Sequence, residues 1–238
     1  MVQVYVTRID EEAGGEVSAA LYERVSDYRR KKTDQLKRCP DKLRSLAAGA
    51  LFRYGLGQFY CSSRKKADEK DLFSGAGDVA HVQDFWLKIE KNICLDAMGK
   101  PNMKGVSFNL SHAGIYAAAA FGAEPVGIDV EGGRRPSKRI AARFHPEEQS
   151  WYEQAGEDMF YRLWTAKESV MKRDGRGIAM GLNSFSVFSE ELKGEIYSRP
   201  LEDGYWLSVC TAEEWDGKVQ RIEMEDLMKM DILDRSSV

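Results

Sequence analysis

The sequence predicts an α+β fold in two lobes, on three observations. Apolar residues alternate at Val2, Val4 and Val6, the period of a half-buried first strand. Leu43, Leu46, Ala47, Ala50, Leu51 and Tyr54 recur at i, i+3, i+4 and i+7, the stripe of a helix packed on a core. Beyond Pro125 a second set of strands and a helix begins, opening on Gly127-Ile128-Asp129-Val130-Glu131. Proline cannot extend a ladder, so Glu124-Pro125 is the expected boundary between a lobe of residues 1–124 and one of residues 125–238. A functional cleft is expected at their junction.

Composition bounds what such a chain can be. With 238 residues, 43% hydrophobic and 31% charged, it can bury a core and lies outside the disordered regime. A formal charge of −3 argues against a broad nucleic-acid surface. Cys39, Cys61, Cys94 and Cys210 show no C-x-x-C spacing, so ordinary reduced thiols are expected rather than a zinc site or a disulfide framework. The N-terminus lacks a basic n-region and a long apolar stretch, and no run reaches membrane-spanning length, so a cytoplasmic location is expected.

Taken in order, the first strand is followed by a helix over 18–36, with Leu21, Val25 and Tyr28 as apolar contacts and Arg29-Arg30-Lys31-Lys32 as a basic run, by default a solvated face. The striped helix is expected to stop near Gly55 and Gly57, with Arg44 at its start, where a positive charge opposes the macrodipole. Residues 61–78 read as a polar loop, and 81–95 as a short helix and strand. Lys100 lies in a turn between Gly99 and Pro101. A strand over 106–110 delivers Ser111 and His112, and 116–121 is its return strand. After Glu131 comes a basic loop, then a helix start at 140–144 that Pro146 interrupts. His145-Pro146-Glu147-Glu148 is a fresh helix start, with acids favoured by the dipole. The helix over 160–172 ends at Gly175 and Gly177. Residues 183–188 and 205–210 read as strands, 223–230 as an amphipathic helix, and 235–238 as a fraying end.

The chemistry gathers on the acidic strand. Side chains alternate along a strand, so Asp129 and Glu131 share a face, roughly 7 Å apart at the backbone, and can reach one cation. Magnesium is usually held by one or two carboxylates together with substrate phosphates, so a phosphate-bearing substrate is implied. Glu168 adds a third carboxylate. Lys172 follows one turn later, by default an exposed i,i+4 partner of Glu168. Ser111 and His112 are both able to bond phosphate oxygens.

Four ordered blocks, Gly99-Lys100-Pro101, Phe108-Asn109-Leu110-Ser111-His112, Gly127-Ile128-Asp129-Val130-Glu131 and Phe160-Tyr161-Arg162-Leu163-Trp164-Thr165-Ala166-Lys167-Glu168-Ser169, resemble the 4'-phosphopantetheinyl transferase superfamily in its longer, two-lobed form. The resemblance runs from about residue 99 to about residue 187, with weaker echoes upstream. It implies two similar α/β lobes related by a pseudo-two-fold, with the active site at their junction. It implies transfer of the phosphopantetheine arm of coenzyme A to a serine of an apo acyl or peptidyl carrier protein, releasing 3',5'-ADP. Such carriers serve fatty-acid, polyketide and nonribosomal-peptide synthesis. Asp129, Glu131 and Glu168 would hold Mg²⁺, or Mn²⁺. Glu148, with Glu147 the one-residue-slip alternative, or a metal-polarised water, would take the serine proton. Lys172 would neutralise the diphosphate beside Lys167. Arg29, Lys32, Arg44, Lys100, Ser111 and His112 would grip the nucleotide phosphates. A monomer with no nucleic-acid or membrane partner is expected.

Two rival readings remain. A metal-dependent nuclease or phosphodiesterase would place a lysine two residues after a metal-binding acid, which neither Glu131 nor Glu168 has. An inactive carrier-protein-binding module would lack one of the metal acids, yet all three candidates are present.

Overall fold

The computed structural model of the chain describes residues 1–10, 14–64, 92–95 and 101–230. Strand β1 (Gln3–Arg8) is followed by helices α1 (Gly14–Tyr22), α2 (Asp27–Asp34) and α3 (Cys39–Arg64). Then come strands β2 (Ile93–Leu95), β3 (Pro101–Met103), β4 (Ser107–Ala113), β5 (Tyr116–Gly122) and β6 (Val126–Glu131). Helices α4 (Lys138–Ala141), α5 (Pro146–Ala155) and α6 (Phe160–Asp174) lead to β7 (Ile196–Pro200), β8 (Trp206–Thr211), β9 (Val219–Arg221) and α7 (Met224–Met228). The mixed architecture agrees with an α+β fold.

One sheet has the order β4-β5-β1-β9, antiparallel except that β9 runs parallel to β1. A second, antiparallel sheet has the order β6-β8-β7. Burial explains the layers. Tyr5 and Phe121 face α3 in a first core with Leu46, Leu51 and Leu56, while Val2, Val4 and Val6 face Ile128, Val130, Leu207 and Val209 in a second core between the sheets.

Several expectations are corrected. The helix expected over 18–36 is two helices, because Ser26 adopts an extended backbone and its Oγ accepts from the Arg29 N–H at 3.1 Å, capping α2. Helix α3 runs through Gly55 and Gly57 to Arg64, so residues 61–64 are not loop. Gly55 serves close approach instead of termination: a Cβ there would meet the Phe121 ring at 2.3 Å and Tyr5 at 2.9 Å. Residues 183–188 form no strand; the outer strand of the second sheet is β7, which sequence patterning did not single out. The remainder of the polar stretch 61–78, most of the 81–95 segment, Lys100 and residues 235–238 lie outside the described residues.

The seam between the sheets positions the chemistry. On β6, the pairing with β8 leaves the N–H groups of Val126, Ile128 and Val130 pointing away from that ladder. Ser107 Oγ, Asn109 Oδ1 and Ser111 Oγ on β4 accept from them at 3.1, 3.2 and 3.3 Å. A period-two polar row inside an apolar strand therefore satisfies an edge that no other strand among the described residues pairs.

Candidate active site

The acidic strand and helix α6 pack unusually close. A Cβ on Gly127 would lie 2.0 Å from the Ser169 carbonyl oxygen and 2.6 Å from the Arg173 nitrogen, so only glycine lets the helix backbone settle on β6. That contact brings Glu168 and Lys172 over the face that carries Asp129 and Glu131. All four line one cleft of about 340 Å³ with Leu110, Ser111, His112 and Trp164. Gly175, in the left-handed region at φ 94°, ends α6 where the sequence places a stop.

Asp129 is 3% exposed, and its two oxygens differ. Oδ1 accepts from Ser111 Oγ at 2.7 Å and from Lys172 Nζ at 2.7 Å. Oδ2 is buried with no hydrogen-bond partner among the described residues. A buried carboxylate oxygen left bare is costly unless something positive occupies it. Lys172 also donates to Ser111 Oγ at 3.0 Å and to the Ile128 carbonyl at 3.2 Å. It is therefore held against Asp129, which corrects the default reading of an exposed partner for Glu168.

The other two acids feel the same crowding. Burial, then Asp129, pushes Glu168 up to about 7, and Lys172 only partly offsets them. Burial and Asp129 likewise raise Glu131, against the pull of Arg134 and Lys172. Among the described residues no three His, Cys, Asp or Glu side chains are drawn tightly enough to ligate an ion as they stand. What fits a cation is the bare Asp129 Oδ2 together with two acids of raised proton affinity lining the same cleft.

A cationic cluster faces them. His112 opens onto the cleft, and its proton affinity is lowered to about 4 by burial and then by Arg29, Lys172, Arg44 and Lys32. Three segments converge there: α2 supplies Arg29 and Lys32, α3 Arg44, and β4 His112. Burial lowers Arg29, and burial followed by the charge of Arg29 lowers Lys32. Arg44 lies in the second turn of α3, and its ion pair with Asp41 accounts for a cation near a helix N-terminus.

Glu148 and Lys167 are placed elsewhere. Both side chains are 0% exposed, and Lys167 Nζ donates to the two Glu148 oxygens at 2.8 and 2.7 Å and to the Phe185 carbonyl at 2.9 Å. Glu148 also accepts from the His145 and Val187 N–H groups, at 3.0 and 2.8 Å. The first of these closes a capping box at the start of α5. Neither Glu148, read from the sequence as a proton acceptor, nor Lys167, read as a coenzyme A ligand, lines the cleft; together they pin α5, α6 and residues 185–187. Glu147, the slip alternative, accepts from Ser186 Oγ at 2.6 Å and does not line the cleft either. Sequence reasoning missed Trp164 and Leu110 as cleft walls and Ser111 as the group that orients Asp129. The polar row Ser107, Asn109, Ser111 was the available signal.

Comparison with known proteins meets this geometry. Residues 125–210 match the model of the 4'-phosphopantetheinyl transferase superfamily. The chain is 31% identical over 146 residues to 4'-phosphopantetheinyl transferase Sfp of Bacillus subtilis (strain 168), covering 54% of this chain and 65% of that protein. It is 33% identical over 129 residues to 4'-phosphopantetheinyl transferase ffp of Bacillus subtilis, covering 47% and 58%. With 4'-phosphopantetheinyl transferase gsp of Aneurinibacillus migulanus the identity is 33% over 130 residues, covering 48% and 55%. The chain thus spans less than two thirds of the length of each of these relatives. Over residues 125–210, and over about half of its length against these relatives, the chain is similar to the 4'-phosphopantetheinyl transferase superfamily.

Proposed function

We propose that the chain transfers the 4'-phosphopantetheine arm of coenzyme A to a serine of an apo acyl or peptidyl carrier protein. The observation that carries this reading is one cleft lined by acids of β6 and α6, Lys172 and His112, with Arg29, Lys32 and Arg44 of α2 and α3 close enough to His112 to lower its proton affinity. That is the charge layout a diphosphate with a divalent counter-ion requires. Asp129 through Oδ2, with Glu131 and Glu168, would hold Mg²⁺ or Mn²⁺. A cation bound there supplies Lewis-acid polarisation of a phosphoryl oxygen.

The chain's own groups do the rest. Arg29, Lys32, Arg44 and a neutral His112 bind the nucleotide phosphates, and Lys172 neutralises the diphosphate while Ser111 holds Asp129 in register. The serine Oγ attacks the phosphorus nearer the pantetheine, the bond to the departing 3',5'-ADP breaks, and the serine proton passes to a cleft carboxylate. The reading includes two lobes, 1–124 and 125–238, related by a pseudo-two-fold, and a monomeric cytoplasmic protein. No helix among the described residues is long and apolar enough to cross a membrane.

The test is incubation with coenzyme A, Mg²⁺ and a panel of apo carrier proteins, read by mass spectrometry. A carrier mass gain of one phosphopantetheine arm is expected, and Asp129→Ala should abolish it with the circular dichroism spectrum unchanged. Full activity in that variant would move the metal site elsewhere.

A further inference from the structure

Strand β7 is the outer strand of the second sheet, and its far edge opens into a cavity of about 650 Å³ that shares no lining residue with the acidic cleft. The ladder fixes which backbone groups face it. Thr211 N–H donates to the Glu195 carbonyl and Leu201 N–H to the Tyr205 carbonyl, so Glu195, Tyr197, Arg199 and Leu201 turn their polar groups toward β8. Ile196 and Ser198 therefore turn theirs outward. Their counterparts on the opposite edge of this sheet, on β6, are satisfied by side chains of β4.

The cavity straddles this edge. On the α6 side it is walled by Trp151, Leu163, Val187 and Phe188, and on the side facing the first sheet by Tyr197, Trp215 and Val219. A groove on each face of an edge that is unpaired among the described residues is the shape left for one more strand, whose alternate side chains would enter the two grooves in turn. The lining carries Arg162 and Arg199, both exposed, and no acid. Arg162 lies over the Trp151 ring at 5.5 Å and the Trp206 ring at 5.9 Å, and neither arginine forms an ion pair among the described residues.

We propose that the free edge of β7 receives an extended peptide segment of a partner protein, with apolar and acidic side chains, as a fourth strand of the sheet. Backbone bonds to Ile196 and Ser198 supply affinity, the aromatic grooves and two arginines supply selectivity, and Pro200, which has no N–H to offer, marks where pairing ends. A second copy of this chain fits worse. It would bring like-charged arginines together across the two-fold and place Pro200 opposite Ile196.

A display library of short unbiased peptides selected on the full-length protein, with counter-selection on the double variant Arg162→Glu/Arg199→Glu, tests this. Enrichment of acidic peptides with alternating apolar residues is expected. The best should bind at least about tenfold more weakly to the double variant, slow amide exchange at Ile196 and Ser198, and lose binding on N-methylation of alternate amides. The same peptides should bind Asp129→Ala unchanged, which separates this surface from the transfer reaction. No enrichment, enrichment blind to the arginine changes, enrichment without protection of those two amides, or protection that appears only with self-association of the protein would each overturn the proposal.

Discussion

Glu168 sets how the cleft responds to pH. Its carboxyl is raised from 4.5 to about 7, so its ionised form is penalised in the folded chain. With a folded value above the unfolded one, an acid's ionisation costs stability as pH rises from 4.5 through 7. Glu168→Gln should remove that slope and make the metal-free protein more stable above pH 7 by about 2 kcal/mol after solvent screening. Urea unfolding across that range checks it, and parallel profiles for the two proteins would refute it. The buried pair Lys167 and Glu148 obeys a different logic. Burial lowers Lys167 even with Glu148 against it, and removing the lysine alone leaves a carboxylate stranded in the interior. Lys167→Met should therefore cost about 3–5 kcal/mol, while Lys167→Met/Glu148→Gln recovers part of that, since it removes the stranded charge and its amide oxygen still accepts from one of the His145 and Val187 N–H groups. Retained transfer by the double variant is expected of a structural pair. A stable but inactive double variant would return Glu148 to the chemistry.

At the scale of elements, the seam between β4 and β6 carries the cleft, and its weak point is Asn109. Its Oδ1 is the acceptor for the Ile128 N–H at 3.2 Å in a buried setting, so Asn109→Ala leaves that donor bare and should cost about 1–3 kcal/mol in chemical denaturation. A loss well below that would mean water or a shifted strand takes over. The same seam shows what the sequence reveals and what it conceals. Strand β6, helix α6 and the trio Asp129, Glu131 and Glu168 are readable because their signals are local: alternation, a 3.6-residue stripe, a glycine stop. Strands β7 and β9 are short and half exposed, which leaves them without alternation strong enough to read. Residues 183–188 have the aromatic and β-branched content of a strand, yet their backbone is engaged by Glu148 and Lys167. Gly55 has the appearance of a stop only until Phe121 is known to lie against it. An acid at a helix start looks the same in sequence whether it faces solvent or a buried ammonium. The pairing of Glu148 with Lys167 is hidden in the sequence for that reason.

Across the whole molecule, the chain's last described elements return to its first. Strand β9 pairs with β1 from Val4↔Val219 to Val6↔Arg221, and Ile222, Met224 and Leu227 join the core built on α3 and β5. Burying three such side chains is worth about 1.5–3 kcal/mol each, a large part of the roughly 5–15 kcal/mol that holds an ordinary domain. The opposite face of β1 shares the second core with β6 and β8, so loss on one face is felt on the other. Ending the chain after Lys218 should therefore unfold both sheets together, with amide protection in β6 and β8 falling alongside that in β1 and β5. Persistent protection of β6 and β8 alone would show that residues 125–218 stand as a separate folding unit. Under the cooperative outcome the proposed coenzyme A binding fails as well, because His112 on β4 and Asp129 on β6 keep their separation only while the seam between the sheets is intact.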